Sequence, residues 1–285
     1  MRSVLITGAN GQLGIELAQQ FKNWRVIALD HKSLDVTNRE DVFNAFTTLC
    51  PQAVIHSAAW TAVDECELDP NKAFLVNALG TRFVAEAASS IGAYLSYIST
   101  DYVFDGETEQ AYTEWDRPNP LSVYGSSKLG GEREVIQRAT HGWSIVRTSW
   151  LCGFYGPNIV KTVLSLIEAR PKLEFVDDQF GSPTFVQDLA PKIEKITSNK
   201  LSGIYHITNQ GVASWYEFAR AIVQLKGQDP SRIQAIATKD LEPPRLARRP
   251  RRSVLDNTVL RLSGEDLLPQ WQNSLDKLVK KILNS

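Results

Sequence analysis

Val4-Leu5-Ile6-Thr7-Gly8-Ala9-Asn10-Gly11-Gln12-Leu13-Gly14 is the stretch that decides the fold. An aliphatic, β-branched run enters a turn with glycine at every third position and leaves as an amphipathic helix that runs to Phe21. A strand, a tight turn and a helix N-terminus in that order present backbone N–H groups to a pyrophosphate. Glycine is needed where the backbone must approach the phosphates, because a side chain would hold them off. The first gap is one residue wider than in the older G-x-G-x-x-G fingerprint, and glycine spacing alone is a weak signal. Its context strengthens it. Val26-Ile27-Ala28-Leu29-Asp30 reads as the next strand with an acid at its tip. That acid lies about 20 residues on, where a carboxylate accepts from an adenosine ribose hydroxyl.

Working outward, apolar runs alternate with helix-period segments. Strands are predicted at Arg2–Thr7, Arg25–Leu29, Ala53–His56, Tyr94–Ser99 and Trp143–Arg147, with helices at Gly11–Phe21, Arg39–Leu49, Pro70–Ile91 and Val123–Arg138 between them. This rhythm predicts an α/β fold, a Rossmann-type doubly wound parallel sheet, because each parallel crossover needs a helix. Residues 1–150 form the expected dinucleotide-binding domain. Residues 151–285 form a smaller substrate-binding lobe interleaved with it, with strands near 172–176 and 203–208 expected to join the first sheet.

The 285 residues are 43% hydrophobic and 22% charged, with a formal charge of −1, so no global field points to nucleic acid or to a membrane surface. Three widely spaced cysteines, Cys50, Cys66 and Cys152, fit neither a disulfide framework nor a zinc site. No secretion signal or membrane-length apolar run is apparent, and a cytoplasmic location is expected.

The chemistry is expected on Tyr124-Gly125-Ser126-Ser127-Lys128. Positions four apart share a helical face, so phenol and ammonium can act together. A phenol with a pKa of about 10 is a poor acid at neutrality. A cation about 4 Å away is worth on the order of 4 kcal/mol at an effective dielectric of about 20. Lys128 is therefore expected to lower the Tyr124 pKa. Thr100 ends the strand before it and offers a hydroxyl that can donate or accept.

These residues lie within longer motifs: TGANGQLG (7–14), HSAAWTAVDECE (56–67), STDYVFDG (99–106), NPLSVYGSSKLGGE (119–132), RTSWLCG (147–153), DQFGSPT (178–184) and RPRRSVLD (249–256). Together they resemble the extended short-chain dehydrogenases/reductases, and within them the dTDP-4-dehydrorhamnose reductase branch, nearly from end to end. The resemblance implies reduction of the carbon-4 ketone of a dTDP-4-dehydro-6-deoxyhexose with NADPH or NADH, the product being dTDP-L-rhamnose. It implies Thr100, Tyr124 and Lys128 as the catalytic set. It implies cofactor contacts from Gly8, Gly11, Gln12, Leu13, Asp30, Asp35, Val36, Ala58, Ala59, Asn77, Tyr124 and Lys128. Thr61, Val63, Thr100, Asp101, Val103 and Trp150 match positions that line the sugar pocket. Related reductases can share a divalent ion such as Mg2+ between the subunits of a homodimer through glutamates, and Glu16 sits at a matching position.

Two alternatives stand beside this reading. One is another dTDP-deoxysugar 4-ketoreductase. The other is a non-catalytic cofactor-binding subunit like the β subunit of methionine adenosyltransferase, against which the intact Thr100, Tyr124 and Lys128 argue. Tyr102 follows Asp101 where the related 4,6-dehydratases carry a second acid, which disfavours an elimination. The basic run Arg245, Arg248, Arg249, Arg251 and Arg252 is punctuated by prolines and lies in the expected substrate lobe. Arginine forks suit a nucleotide diphosphate, and Arg245, Arg248 and Arg249 are its expected holders. Asp30 favours NADH, whereas His31 and Lys32 could accept the extra phosphate of NADPH.

Overall fold

The computed structural model describes residues 2–285. Five strands, β1 (Ser3–Thr7), β2 (Arg25–Leu29), β3 (Ala53–His56), β4 (Tyr94–Thr100) and β5 (Trp143–Thr148), join Gly203–His206 in one parallel sheet. From one edge the order is Gly203–His206, β5, β4, β3, β1, β2. Side chains alternate across it as the two-residue period requires. Val4 and Ile6 pack on Leu13 and Leu17 of α1 (Gln12–Gln20), beside Leu189 and Ile193. Leu5 faces the other way, onto Val42 and Phe46 of α2 (Arg39–Leu49). With both faces covered, the strands are apolar throughout, as in parallel sheets generally.

The helix expected over Pro70–Ile91 is interrupted. It forms α3 (Pro70–Phe74), a π-helical turn at Leu75–Leu79, then α4 (Gly80–Ser90). The wide turn leaves the Asn77 carbonyl to accept from the Thr81 hydroxyl at 2.8 Å and the Tyr97 hydroxyl at 3.3 Å.

A second apolar cluster gathers Ile159–Ala169, Trp215–Leu225 and Trp271–Leu283. Here the expected membership of residues 172–176 in the main sheet is corrected: Leu173–Val176 pairs in parallel with Ile233–Ile236 instead. Leu173 and Ile233 both drop into this second cluster, so burial decides the pairing. The helix Val186–Ser198 and the strand Gly203–His206, although late in the chain, return to the main sheet.

Candidate active site

β1 lies between β2 and β3, so successive connections leave it in opposite directions and open a crevice beyond the strands' carboxyl ends. Gly8 lines it with φ +67°, and a Cβ there would meet the Ala58 backbone at 2.8 Å. The Gly11 N–H donates to the Gly8 carbonyl at 3.0 Å, and α1 starts at Gln12 with no side chain capping its first N–H groups. Those free donors fit a pyrophosphate. Ala58 and Ala59 stand half-buried beside the turn.

The other expected cofactor residues divide. Asp30 ends β2 with its carboxylate accepting from Asn10 Nδ2 at 2.5 Å and from the Ser33 hydroxyl at 2.7 Å, and the Ser33 contact helps hold its pKa below the usual value. Asp35 is half-buried and accepts from the Thr37 hydroxyl at 2.8 Å. Leu13 and Val36 are core side chains. Asn77 is buried and acts on the loop rather than the crevice. Its Oδ1 accepts from Trp60 N at 2.8 Å, while Nδ2 donates to the Trp60 carbonyl and the Ser127 hydroxyl, both at 3.0 Å. Gln12 Oε1 accepts from Asn158 Nδ2 at 3.0 Å, a partner that sequence reading did not name. Asn158 also caps the helix that follows it, a signal that was legible.

Thr100, at the tip of β4, and Tyr124 and Lys128, on α5 (Val123–Arg138), come together here, all buried. Gly125 permits it: a Cβ there would collide with the Tyr102 carbonyl oxygen. Burial pushes the Tyr124 phenol well above its usual pKa, and the Thr100 hydroxyl beside it works the other way. The expected lowering by Lys128 is corrected. The Lys128 ammonium donates to the Ile98 carbonyl at 2.7 Å and lies 4.1 Å from the centre of the Tyr97 ring. A buried ammonium takes the nearest carbonyl, and burial pulls its pKa down to about 7 against the pull of Glu132.

On the substrate side, Thr61 is exposed and Val63 half-buried beside Tyr124. Val103 is fully buried among Phe104, Tyr112, Leu129 and Leu255, which makes it a support for the loop. Trp150 takes φ +49° and stacks on Trp215, ring centres 3.5 Å apart. Asp101 is 2% exposed and accepts from two hydroxyls, Thr100 at 3.1 Å and Ser253 at 2.5 Å.

The arginine run is not uniform. Both guanidinium nitrogens of Arg249 donate to Asp64, at 3.0 and 2.8 Å, and this pair holds the Asp64 carboxyl down at about 2. Arg245 approaches the same carboxylate at 3.6 Å, and Arg248 is exposed. Arg252 buries its Nε with no hydrogen-bond partner among the described residues. Its guanidinium lies 5.9 Å from the centre of the Phe180 ring.

Among the described residues no three His, Cys, Asp or Glu side chains converge to hold a metal ion. Glu16 is half-buried on α1 and belongs to no such group among the described residues. No helix among the described residues is long and apolar enough to cross a membrane.

Comparison with known proteins agrees over the whole length. The chain is 40% identical over 284 residues to the spore coat polysaccharide biosynthesis protein SpsK of Bacillus subtilis, covering 99% of this chain and 98% of that one. It is 39% identical to a dTDP-4-dehydrorhamnose reductase of Aggregatibacter actinomycetemcomitans, covering 98% of each. The crystal structure of the dTDP-4-dehydrorhamnose reductase of Bacillus anthracis in complex with NADP superposes with a TM-score of 0.94 at 39% identity, covering 99% of this chain and 100% of that one. The family described as RmlD substrate binding domain matches residues 1–284, and the chain belongs to that family.

Proposed function

We propose that this protein reduces the carbon-4 ketone of dTDP-4-dehydro-L-rhamnose to dTDP-L-rhamnose with NADPH or NADH. The observation that supports this reading is that Thr100 at the tip of β4 and Tyr124 and Lys128 on α5 are buried together, with the Tyr124 ring edge-on to Tyr102, whose N–H donates to Thr100 Oγ1. A bound reduced nicotinamide supplies hydride. Tyr124 delivers its proton to the oxygen of the former carbonyl, and Thr100 supports that oxygen by a hydrogen bond. Lys128, one turn along the helix, is placed to hold the nicotinamide ribose. The experiment is the initial rate of reduced-nicotinamide loss with a set of dTDP-4-ketohexoses. The L-rhamno ketone is expected to give the highest kcat/KM, and no oxidation with any of the set would overturn the reading.

Asp30 reads the cofactor. Asp30→Ala is expected to raise kcat/KM for NADPH relative to NADH about five- to tenfold, since a carboxylate near the 2′-phosphate is removed. An unchanged ratio would place Asp30 outside the cofactor site.

Of the basic run, Arg252 is the arginine with a donor buried without a partner among the described residues, while Arg249 is committed to Asp64. Arg252→Ala is therefore expected to weaken dTDP binding by about ten- to a hundredfold, the loss of one charge-assisted contact to a diphosphate. Arg248→Ala should leave dTDP binding near the parent value. Calorimetric titration of dTDP into each variant decides between them, and equal binding by both variants and the parent would place the diphosphate elsewhere.

A further inference from the structure

Behind the Tyr124 phenol runs a chain of hydroxyls and one carboxylate. Ser253 Oγ lies 2.5 Å from Asp101 Oδ2, Asp101 Oδ1 lies 3.1 Å from Thr100 Oγ1, and the Thr100 hydroxyl stands beside Tyr124. Thr100, Asp101 and Ser253 are all buried, at 7%, 2% and 3% exposure. Ser253 comes from a distant strap. Phe180 N donates to the Arg251 carbonyl at 2.8 Å, and Ser253 N donates back to the Phe180 carbonyl at 3.0 Å. The strap is thus pinned on both sides of the serine.

The direction of each proton matters. A threonine hydroxyl has one proton to give. Thr100 Oγ1 already accepts from the Tyr102 N–H at 3.2 Å. When Asp101 is ionised it takes the Thr100 proton, and Thr100 shows the phenol only a lone pair. When Asp101 carries a proton on Oδ1, that proton can be donated to Thr100, which frees the Thr100 proton for the substrate oxygen and then, once Tyr124 has given up its own proton, for the phenolate.

We propose that Asp101, held in place by the positioning residue Ser253, is the proton store that recharges Tyr124 through Thr100. This rests on the reductase reading above. After hydride reaches the carbonyl carbon, the Tyr124 O–H bond breaks and its proton goes to the substrate oxygen. The Thr100 proton then passes to the phenolate, and the Asp101 proton passes to Thr100. Asp101 is left as a carboxylate and regains a proton from water before the next cycle. One proton is consumed per ketone reduced, and no other reactant is needed.

The surroundings suit this task. Burial pushes the Asp101 carboxyl up to about 6, while the hydrogen bonds from Ser253 and Thr100 pull it down. The titratable groups facing it are Tyr102 from its own turn and Tyr124 from α5, both neutral phenols raised by burial. The Asp64–Arg249 pair stands behind Tyr102, and Cys66 stands behind Tyr124. No basic side chain is paired with Asp101 among the described residues. Lys128 also titrates near neutrality, but its ammonium is on the Ile98 carbonyl and touches neither Asp101 nor Ser253.

The test is the pH profile of kcat in repeated turnover with saturating NADPH, because the store acts only after Tyr124 has given up its first proton. The sign follows from the store being full only below the Asp101 pKa: the rate falls as pH rises through it. Asp101→Asn should give a slower rate with that alkaline limb removed. Ser253→Ala deletes a donor to the carboxylate, so the limb should move up by about one unit, and Ser253→Thr should restore it. A limb that stays put in Ser253→Ala, or survives in Asp101→Asn, overturns the store and assigns the limb to Lys128. Tyr124→Phe separates the two readings. If it cuts turnover about 10²-fold or more while the limb stays put in Ser253→Ala, the store fails and the reductase reading stands. If it keeps turnover, the reading beneath both fails.

Discussion

Tyr124→Phe is expected to lower turnover by about 10²-fold or more while nicotinamide affinity stays near the parent value, because a positioned acid contributes about that much. The phenol is buried in an edge-on contact with Tyr102, ring centres 5.7 Å apart, so phenylalanine keeps the packing and loses only the hydroxyl. Stopped-flow reduction with cofactor binding measured separately reads the two quantities. Near-normal turnover would remove Tyr124 from the mechanism. Loss of cofactor affinity in step with turnover would mean that the phenol serves binding.

Arg147→Met is expected to destabilise the fold by about 3–5 kcal/mol, the usual consequence of leaving one partner of a buried ion pair alone. Arg147 and Glu132 are each 2% exposed at the side chain and meet through two hydrogen bonds, of 2.9 and 2.7 Å. The Ser99 hydroxyl donates to the same carboxylate at 2.5 Å, one residue before Thr100. Against a total stability of about 5–15 kcal/mol for ordinary domains, the loss is large. Urea unfolding of Arg147→Met and of the double variant with Glu132→Gln checks it. The double variant should recover much of the loss, since no uncompensated charge then remains inside. A single variant within about 1 kcal/mol of the parent would show that water reaches the pair.

The same two sites divide what was readable from what was not. Tyr124, Lys128 and Thr100 were legible because helical spacing and a strand end place backbone positions regardless of partners. The pairing of Glu132 with Arg147 spans two elements 15 residues apart, and nothing in either neighbourhood announces it. Lys128 illustrates the limit. Its position on the helix face followed from its spacing to Tyr124, but its ammonium took the Ile98 carbonyl once the tertiary fold brought one close. Arg249 is similar: an arginine-rich run signals an anion, and Asp64 in a segment 185 residues away turned out to be that anion.

The glycine turn, the βαβ rhythm, the parallel architecture of the main sheet and the crevice at its carboxyl edge were legible in the sequence alone. Each depends on local sterics and on the period at which apolar side chains recur, and both are written in neighbouring residues. The partner of each polar side chain was decided only by the tertiary structure. So were the pairing of Leu173–Val176 with Ile233–Ile236, the π-helical turn at Asn77 and the arrival of Ser253 on Asp101. Those depend on desolvated contacts between groups far apart in the chain, where burial raises the cost of an unmatched charge or hydroxyl and so selects whichever partner the fold delivers.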